Sequence, residues 1–300
     1  MPTISVAVPR KGRPLEAVLE RLATRTDATD VADDVISTLR YEKAVTKGTS
    51  EATGDVYERL AEYSDLDDPA APEFTLLRDD RSGKPRRIVF DSLTLPVDGV
   101  DVRLVGREEP FRALRTHEFA LGFDSADLVL EEVVELREEP LTRIDDINDR
   151  IDPRDTDVRV VAGLGDTVHH TLLATPEHAD EFDVGLTRAF VERYDGNLCI
   201  SPRYERLVEA VLGMAAIQDV EFVYPDAGRE EEAAIADAGA GVYLTVTGST
   251  ARDHGLVVGE QLFPSETVLL ENPMEADDAV ERVRDLFVPP TEETAIPATN

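Results

Sequence analysis

Thr245-Val246-Thr247-Gly248-Ser249-Thr250 is the segment of this sequence best suited to hold an anion. It follows an apolar run and enters a helical pattern. Backbone N–H groups there, with the hydroxyls of Thr247, Ser249 and Thr250, can converge on a phosphate. The same pattern also serves an ordinary strand-to-helix turn with a capping hydroxyl. Arg10-Lys11-Gly12-Arg13 closes the first β-rich run. In open α/β sheets, ligands bind beyond the carboxyl ends of strands. Cations at that place suit a polyphosphate, or they simply offset local acidity. Gly122-Phe123-Asp124-Ser125-Ala126-Asp127, with Glu131 one turn on, puts carboxylates after a strand. Such groups can receive ribose hydroxyls or, through water, Mg²⁺; in a chain this acidic they also occur as plain solvated surface.

Other residue types exclude chemistries. His169 and His170 are neighbours on a predicted strand and face opposite sides, which argues against a joint metal site. Zinc lacks Cys or His partners at suitable spacing. Cys199 lies in a predicted strand and reads as a buried, inert thiol. The sequence has no GxSxG, no Gly-Lys-Ser/Thr P-loop, no HExxH and no GxGxxG.

The elements that must position these residues alternate between strand and helix. Residues 3–9 form a short strand, and Pro14 opens a helix with Leu15, Val18, Leu19 and Leu22 on one face. Residues 26–85 are irregular and charged, with one predicted helix (Val56 to Tyr63), an acidic loop (Asp65–Pro72) and a basic turn (Arg81–Arg87). Strands return at Arg87–Phe90, Val100–Val105 and Phe119–Phe123. Residues 137–157 are polar and read as the crossing between two lobes. A second alternation then runs from Val158 to a strand at Gln261–Leu270, interrupted by Pro264. A clean amphipathic helix, Glu275–Phe287, and a frayed tail close the chain. The pattern predicts an α/β fold of two lobes. Lobe I is 1–140 plus 258–300, with an enlarged 26–85 segment, and lobe II is 155–257.

Charge narrows the function. The 300 residues carry 63 acidic and 31 basic side chains, a formal charge of −32. A chain this acidic is not a general nucleic-acid binder and is not drawn to anionic membranes. Its 42% hydrophobic content argues for folding rather than disorder. Only 4 of the basic residues are Lys and 27 are Arg. We read the acidity as adaptation to a high-salt, halophilic cytoplasm, where screening tolerates it. No signal-like start and no long apolar run are present.

Taken in order, these segments resemble the catalytic chain of ATP phosphoribosyltransferase, the first enzyme of histidine biosynthesis. VAVPRKGRPLEAVLERL is similar to that family's opening strand, Lys-Gly-Arg turn and helix. DVRLVGREEPFRALRTHEFALGFDSADLVLEE resembles its arginine-bearing strand and acidic motif, with Gly122, Asp127 and Glu131 in matching places. HHTLLATP resembles the strand that begins the second lobe, and LCISPRYERLVEAVL a later strand and helix. YLTVTGSTARDHGLVVGEQLFPSETVLLEN is similar to the phosphoribosyl-pyrophosphate loop and closing strand. The collinear order covers about two thirds of the chain.

The resemblance implies lobes like those of type II periplasmic binding proteins, with the ligand cleft between them. It implies transfer of a phosphoribosyl group from phosphoribosyl pyrophosphate to ATP, with adenine N1 attacking ribose C1 as Mg²⁺-bound pyrophosphate leaves. Thr247, Gly248, Ser249 and Thr250 would hold the ribose 5-phosphate, and Lys11 and Arg13 other phosphates. Asp127 and Glu131 are further candidates for substrate binding. No C-terminal regulatory domain is evident, so the short form is implied, an oligomer working with a synthetase-like regulatory subunit. Departures are concentrated at polar positions. Tyr243 stands where the family has the Asp that binds ribose hydroxyls, His170 replaces an Arg, and His254 an Asn. These losses keep a second reading open: a non-catalytic paralogue that binds an anionic metabolite as a sensor or partner subunit.

Overall fold

The computed structural model describes residues 2–65, 67, 68, 70–78, 86–97, 99–226 and 229–288. In β1 (Thr3–Pro9), Val6, Ala7 and Val8 are all buried, as in a strand covered on both faces. Gly12, at φ +84°, turns the chain into α1 (Arg13–Ala23), whose buried face is Leu15, Val18, Leu19 and Leu22. Next come α2 (Thr29–Lys47) and α3 (Val56–Tyr63). Strands β2 (Glu73–Arg78), β3 (Arg86–Val97) and β4 (Val100–Arg107) form an antiparallel meander. α4 (Pro110–Arg115), β5 (Leu121–Ser125), α5 (Ala126–Val133) and β6 (Arg159–Gly163) follow.

The second lobe begins at β7 (Val168–Ala174) and continues through α6 (Pro176–Ala179), α7 (Arg188–Val191) and β8 (Asn197–Cys199). It goes on through α8 (Glu205–Leu212), β9 (Glu221–Val223), α9 (Glu231–Ala238) and β10 (Ala240–Thr245). α10 (Ser249–Asp253) and β11 (Val257–Ser265) complete it. β12 (Thr267–Glu271) and α11 (Asp278–Phe287) return to the first lobe.

Two sheets result among the described residues. The seven-stranded sheet has the order β2-β3-β4-β1-β5-β12-β6, and the five-stranded sheet β11-β7-β10-β8-β9. One core lies within the first lobe, around Val6, Leu15, Ile36, Phe90 and Phe287. Another runs from Ala7, Phe111 and Leu130 across to Leu172, Phe190 and Leu207. The lobes therefore share buried apolar surface and are not merely tethered. A third, small cluster around Leu173, Cys199 and Ile235 backs the five-stranded sheet.

The lobe boundaries expected at 155 and 258 need correction. β6 pairs with β12 in the seven-stranded sheet, so the chain crosses after Gly163, not within 137–157. Those residues instead hold short 3-10 turns at Ile144–Asp146 and Asn148–Arg150. The strand expected over Gln261–Leu270 is two strands in different sheets. β11 pairs with β7 and β12 with β5, and the return crossing falls at Glu266. Pro264, taken as the interruption, lies inside β11 at the sheet edge, where a missing N–H is tolerated. Residues 66 and 69 of the acidic loop, part of the basic turn (residues 81–85) and the tail from 289 onward lie outside the described residues.

The 26–85 segment holds more helix than expected. α2 buries Ala32, Val35, Ile36, Leu39 and Glu42 on one face, a stripe diluted by its many charges. Glu42 receives Arg59 Nε at 2.7 Å and Nη2 at 3.1 Å, and Tyr63 donates its hydroxyl at 3.0 Å. Both charged side chains are almost fully buried, at 6% and 3% exposure. Glu42 is also the main reason that the Arg59 guanidinium holds its proton more tightly than usual. Removing one partner leaves a buried charge alone, which costs about 3 kcal/mol or more. Glu42→Ala should therefore lower the unfolding free energy by that amount. The double variant Glu42→Leu/Arg59→Met should lose much less, measured by chemical unfolding in concentrated KCl.

Candidate active site

β10 delivers the chain to the Thr247–Thr250 loop. Gly248 adopts φ +69°, and a Cβ there would meet Val258 Cγ2 at 2.8 Å. Only glycine fits both the backbone and the space. Thr247 Oγ1 lies 3.4 Å from the Ser249 N–H and 3.2 Å from Ser249 Oγ. Arg252 Nη1 fixes the loop from behind, donating to the Thr247 carbonyl at 3.0 Å. The hydroxyl residues Thr247, Ser249 and Thr250 are exposed. They line an open cavity of about 380 Å³, together with Tyr243, Thr245 and Glu232. α10 has five residues, so its dipole is small. Local N–H and O–H donors, not a macrodipole, would attract an anion here.

Lys11 and Arg13 do not line this cavity. Lys11 Nζ sits 3.6 Å from Glu108 Oε2. Arg13 is built into the crossing between lobes. It pairs with Asp166 Oδ2 at 3.2 Å, donates to the Asp166 carbonyl, and reaches the Ser265 carbonyl at 3.4 Å. Asp166 in turn accepts from the Thr267 N–H and hydroxyl, each at 2.8 Å.

Asp127 and Glu131 also lie between the lobes. Asp127 is 3% exposed, and its Oδ2 accepts the Ser265 hydroxyl at 2.9 Å. Its Oδ1 is 3.1 Å from His170 Nε2, without the alignment of a hydrogen bond. His170 is buried while His169 is partly exposed, as strand alternation requires. Glu131 Oε2 accepts the Leu207 N–H at 3.0 Å near the start of α8, and burial pushes its carboxyl up. Cys199 is buried, which raises its thiol pKa, as an inert thiol requires.

Tyr204, Glu231 and Glu232 complete the site without having given any sequence signal. Tyr204 stacks edge-on against His170, with centroids 5.3 Å apart. Burial is the main cause raising its phenol, and Asp127 adds to it. Tyr243 is pushed up to about 12, by burial first and then by Glu231 and Glu232. Two carboxylates of α9 therefore lie near the Tyr243 phenol.

A model of the halobacterial ATP phosphoribosyltransferase family matches residues 1–298. The chain belongs to this family. Among solved structures it is similar to the ATP phosphoribosyl transferase (HisG:HisZ) complex from Thermotoga maritima, at 13% identity over 94% of each chain, TM-score 0.42. It is similar to YhfZ from Shigella flexneri at 10% identity over 96% of this chain and 85% of that one, TM-score 0.45. The reduced form of the regulatory domain of OxyR2 from Vibrio vulnificus matches at 14% identity over 63% of this chain and 79% of that one, TM-score 0.31. No curated protein matches the chain by sequence.

Asp124, in the acidic motif, is a buried carboxyl with no ion-pair partner among the described residues. Its oxygens accept the Phe111 N–H at 3.1 Å and the Ser125 N–H at 2.9 Å. Burial outweighs these bonds and pushes its pKa up to about 7. The unfolded chain releases this proton near the ordinary value of 3.8, the folded chain near 7. Between those values the folded state binds more protons, so this group's contribution to stability falls as pH rises, then levels off. Asp124→Asn removes that slope. From about pH 4 to pH 8 the difference in unfolding free energy should move in the variant's favour by on the order of 3 kcal/mol. Denaturant titrations of both proteins across that range check it.

Proposed function

We propose that this chain transfers the phosphoribosyl group of phosphoribosyl pyrophosphate to ATP, in the cytoplasm of a cell with high internal salt. The match of the halobacterial ATP phosphoribosyltransferase family over residues 1–298 carries the reading. The loop cavity supports it: Thr247, Gly248, Ser249 and Thr250 would hold the 5-phosphate through N–H and O–H donors. Gly248 allows the backbone to approach that phosphate. Neutral Tyr243 would pack beside the sugar. Arg13 would act through the crossing that it ties together rather than on the loop phosphate. Catalysis of this kind is mostly positioning and charge stabilisation.

Mg²⁺ would neutralise the departing pyrophosphate. Among the described residues no group of three or more His, Cys, Asp or Glu side chains is placed to hold a metal. Substrate oxygens would carry the cation. Membership of the family supports a synthetase-like regulatory partner here, in a higher-order assembly. No helix among the described residues is long and apolar enough to cross a membrane.

One observation favours the non-catalytic reading: Tyr243 occupies the strand position where the resemblance calls for an acid. Purified protein mixed with ATP, Mg²⁺ and phosphoribosyl pyrophosphate in molar KCl, with pyrophosphatase, decides between them. Phosphoribosyl-ATP should appear as an absorbance rise. Binding of phosphoribosyl pyrophosphate without product, with the candidate regulatory subunit present, would establish the sensor instead. Within the enzyme, Thr247→Val and Ser249→Ala each remove a donor to a charged phosphate. Each should raise KM for phosphoribosyl pyrophosphate about tenfold, with a smaller change in kcat.

A further inference from the structure

Helix α8 belongs to the second lobe, yet the first lobe supplies bonds at both its ends. A helix leaves its first N–H groups and its last carbonyls without partners inside itself. At the start of α8 the usual remedy is missing, because Tyr204, at the N-cap position, makes no side-chain capping bond. The Leu207 N–H instead donates to Glu131 Oε2 at 3.0 Å, from α5 of the first lobe. Beside it, Arg206 Nη2 donates to the carbonyl of Val134, just past the end of α5, at 2.7 Å.

The far end of α8 is held by residues 137–141, which precede the crossing after Gly163 and so belong to the first lobe. The Leu141 N–H donates to the Ala210 carbonyl, in the last turn of α8, at 2.8 Å. The turn that follows α8 donates in the other direction. The Met214 N–H reaches the Arg137 carbonyl at 2.9 Å, and the Ala215 N–H the Glu138 carbonyl at 3.4 Å. Gly213 makes this approach possible. It adopts φ +83°, and a Cβ there would lie 2.5 Å from the Glu138 carbonyl oxygen. The Leu141 side chain is buried in the core that the lobes share.

Lobes that swing apart need a seam with few bonds across it. Parting α8 from α5 and from the 137–141 strap would leave backbone groups at both ends of the helix unpaired at once. We propose that Glu131 and the 137–141 strap are positioning groups, which cap α8 from the other lobe and so hold the two lobes at one angle in the free protein. The cleft between the lobes is then formed before a ligand arrives.

Spin labels test this in the full chain in molar KCl. Glu20→Cys, at an exposed position of α1, and Asp253→Cys, exposed at the end of α10, report the distance between the lobes. Cys199 is buried and does not compete for label. The labelled parent should show one narrow distance peak. Glu131→Ala should lose that peak and give a broad distribution. Glu131→Gln keeps an acceptor oxygen for the Leu207 N–H and should keep the narrow peak. Gly213→Val pushes the strap away and should broaden the distribution as Glu131→Ala does; where it fails to fold, the two Glu131 variants decide alone. A broad or two-peaked distribution in the parent overturns the proposal. So does a narrow, unmoved peak in Glu131→Ala: a cap that merely stabilises α8 would lower resistance to denaturant and leave the distance between lobes as it was.

Discussion

Two carboxylates hold the crossing on which the rest of this molecule depends. Asp166 sits on the outgoing connection and receives the N–H and hydroxyl of Thr267 on the returning one, with Arg13 alongside. Asp127, at the head of α5, receives the Ser265 hydroxyl and faces His170. Each of these bonds joins segments more than a hundred residues apart in sequence. Without them the two connections would be bare extended chain, free to shear. With them, the end of β11 and the start of β12 have one position relative to α1 and α5. The loop cavity stands at the end of β10, in the sheet that β7 and β11 anchor to this crossing.

The apolar packing explains why two carboxylates suffice. Ala7, Phe111 and Leu130 of the first lobe share a core with Leu172, Phe190 and Leu207 of the second. That burial supplies the attraction between lobes, and it is non-directional. Hydrogen bonds then choose one arrangement among those that burial would permit. Asp127 shows the division of labour. Its charge alone would be unwelcome in so dry a place, and the Ser265 hydroxyl satisfies one oxygen while the His170 imidazole approaches the other.

What the sequence disclosed and what it concealed divide along the same line. Local signals were sound: Pro14 and the Leu15–Leu22 stripe of α1, the strand before Thr247, and the turn at Gly248. Collinear motifs led to the family over the whole chain. Long-range relations were hidden. Nothing local says that Arg13 meets Asp166, or that Asp127 faces Ser265. Gln261–Leu270 read as one strand because its residue types do not change where it leaves one sheet for another at Glu266. α2 was missed because polar residues on its outer face dilute the stripe, and because Glu42, on the buried face, looks like a surface residue until Arg59 is placed beside it. Glu232 was invisible for a simpler reason. It is eleven positions before Tyr243, and only the packing of α9 against β10 brings the two together.

The charge of −32 constrains how such a cavity can attract a phosphate. Lys11 and Arg13 are each engaged with a carboxylate, which offsets part of their charge. The loop offers neutral N–H and O–H donors, which act at short range. High salt suits that arrangement. The Debye length falls to about 3 Å at 1 M, which suppresses the long-range repulsion of 63 acidic side chains. A hydrogen bond at about 3 Å lies inside that length and is hardly weakened. A site built on lysines would lose its long-range attraction in the same solvent that removes the repulsion. A site built on N–H and O–H groups keeps its attraction and loses only the penalty, so acidity of the surface and neutrality of the loop are two sides of one electrostatic solution.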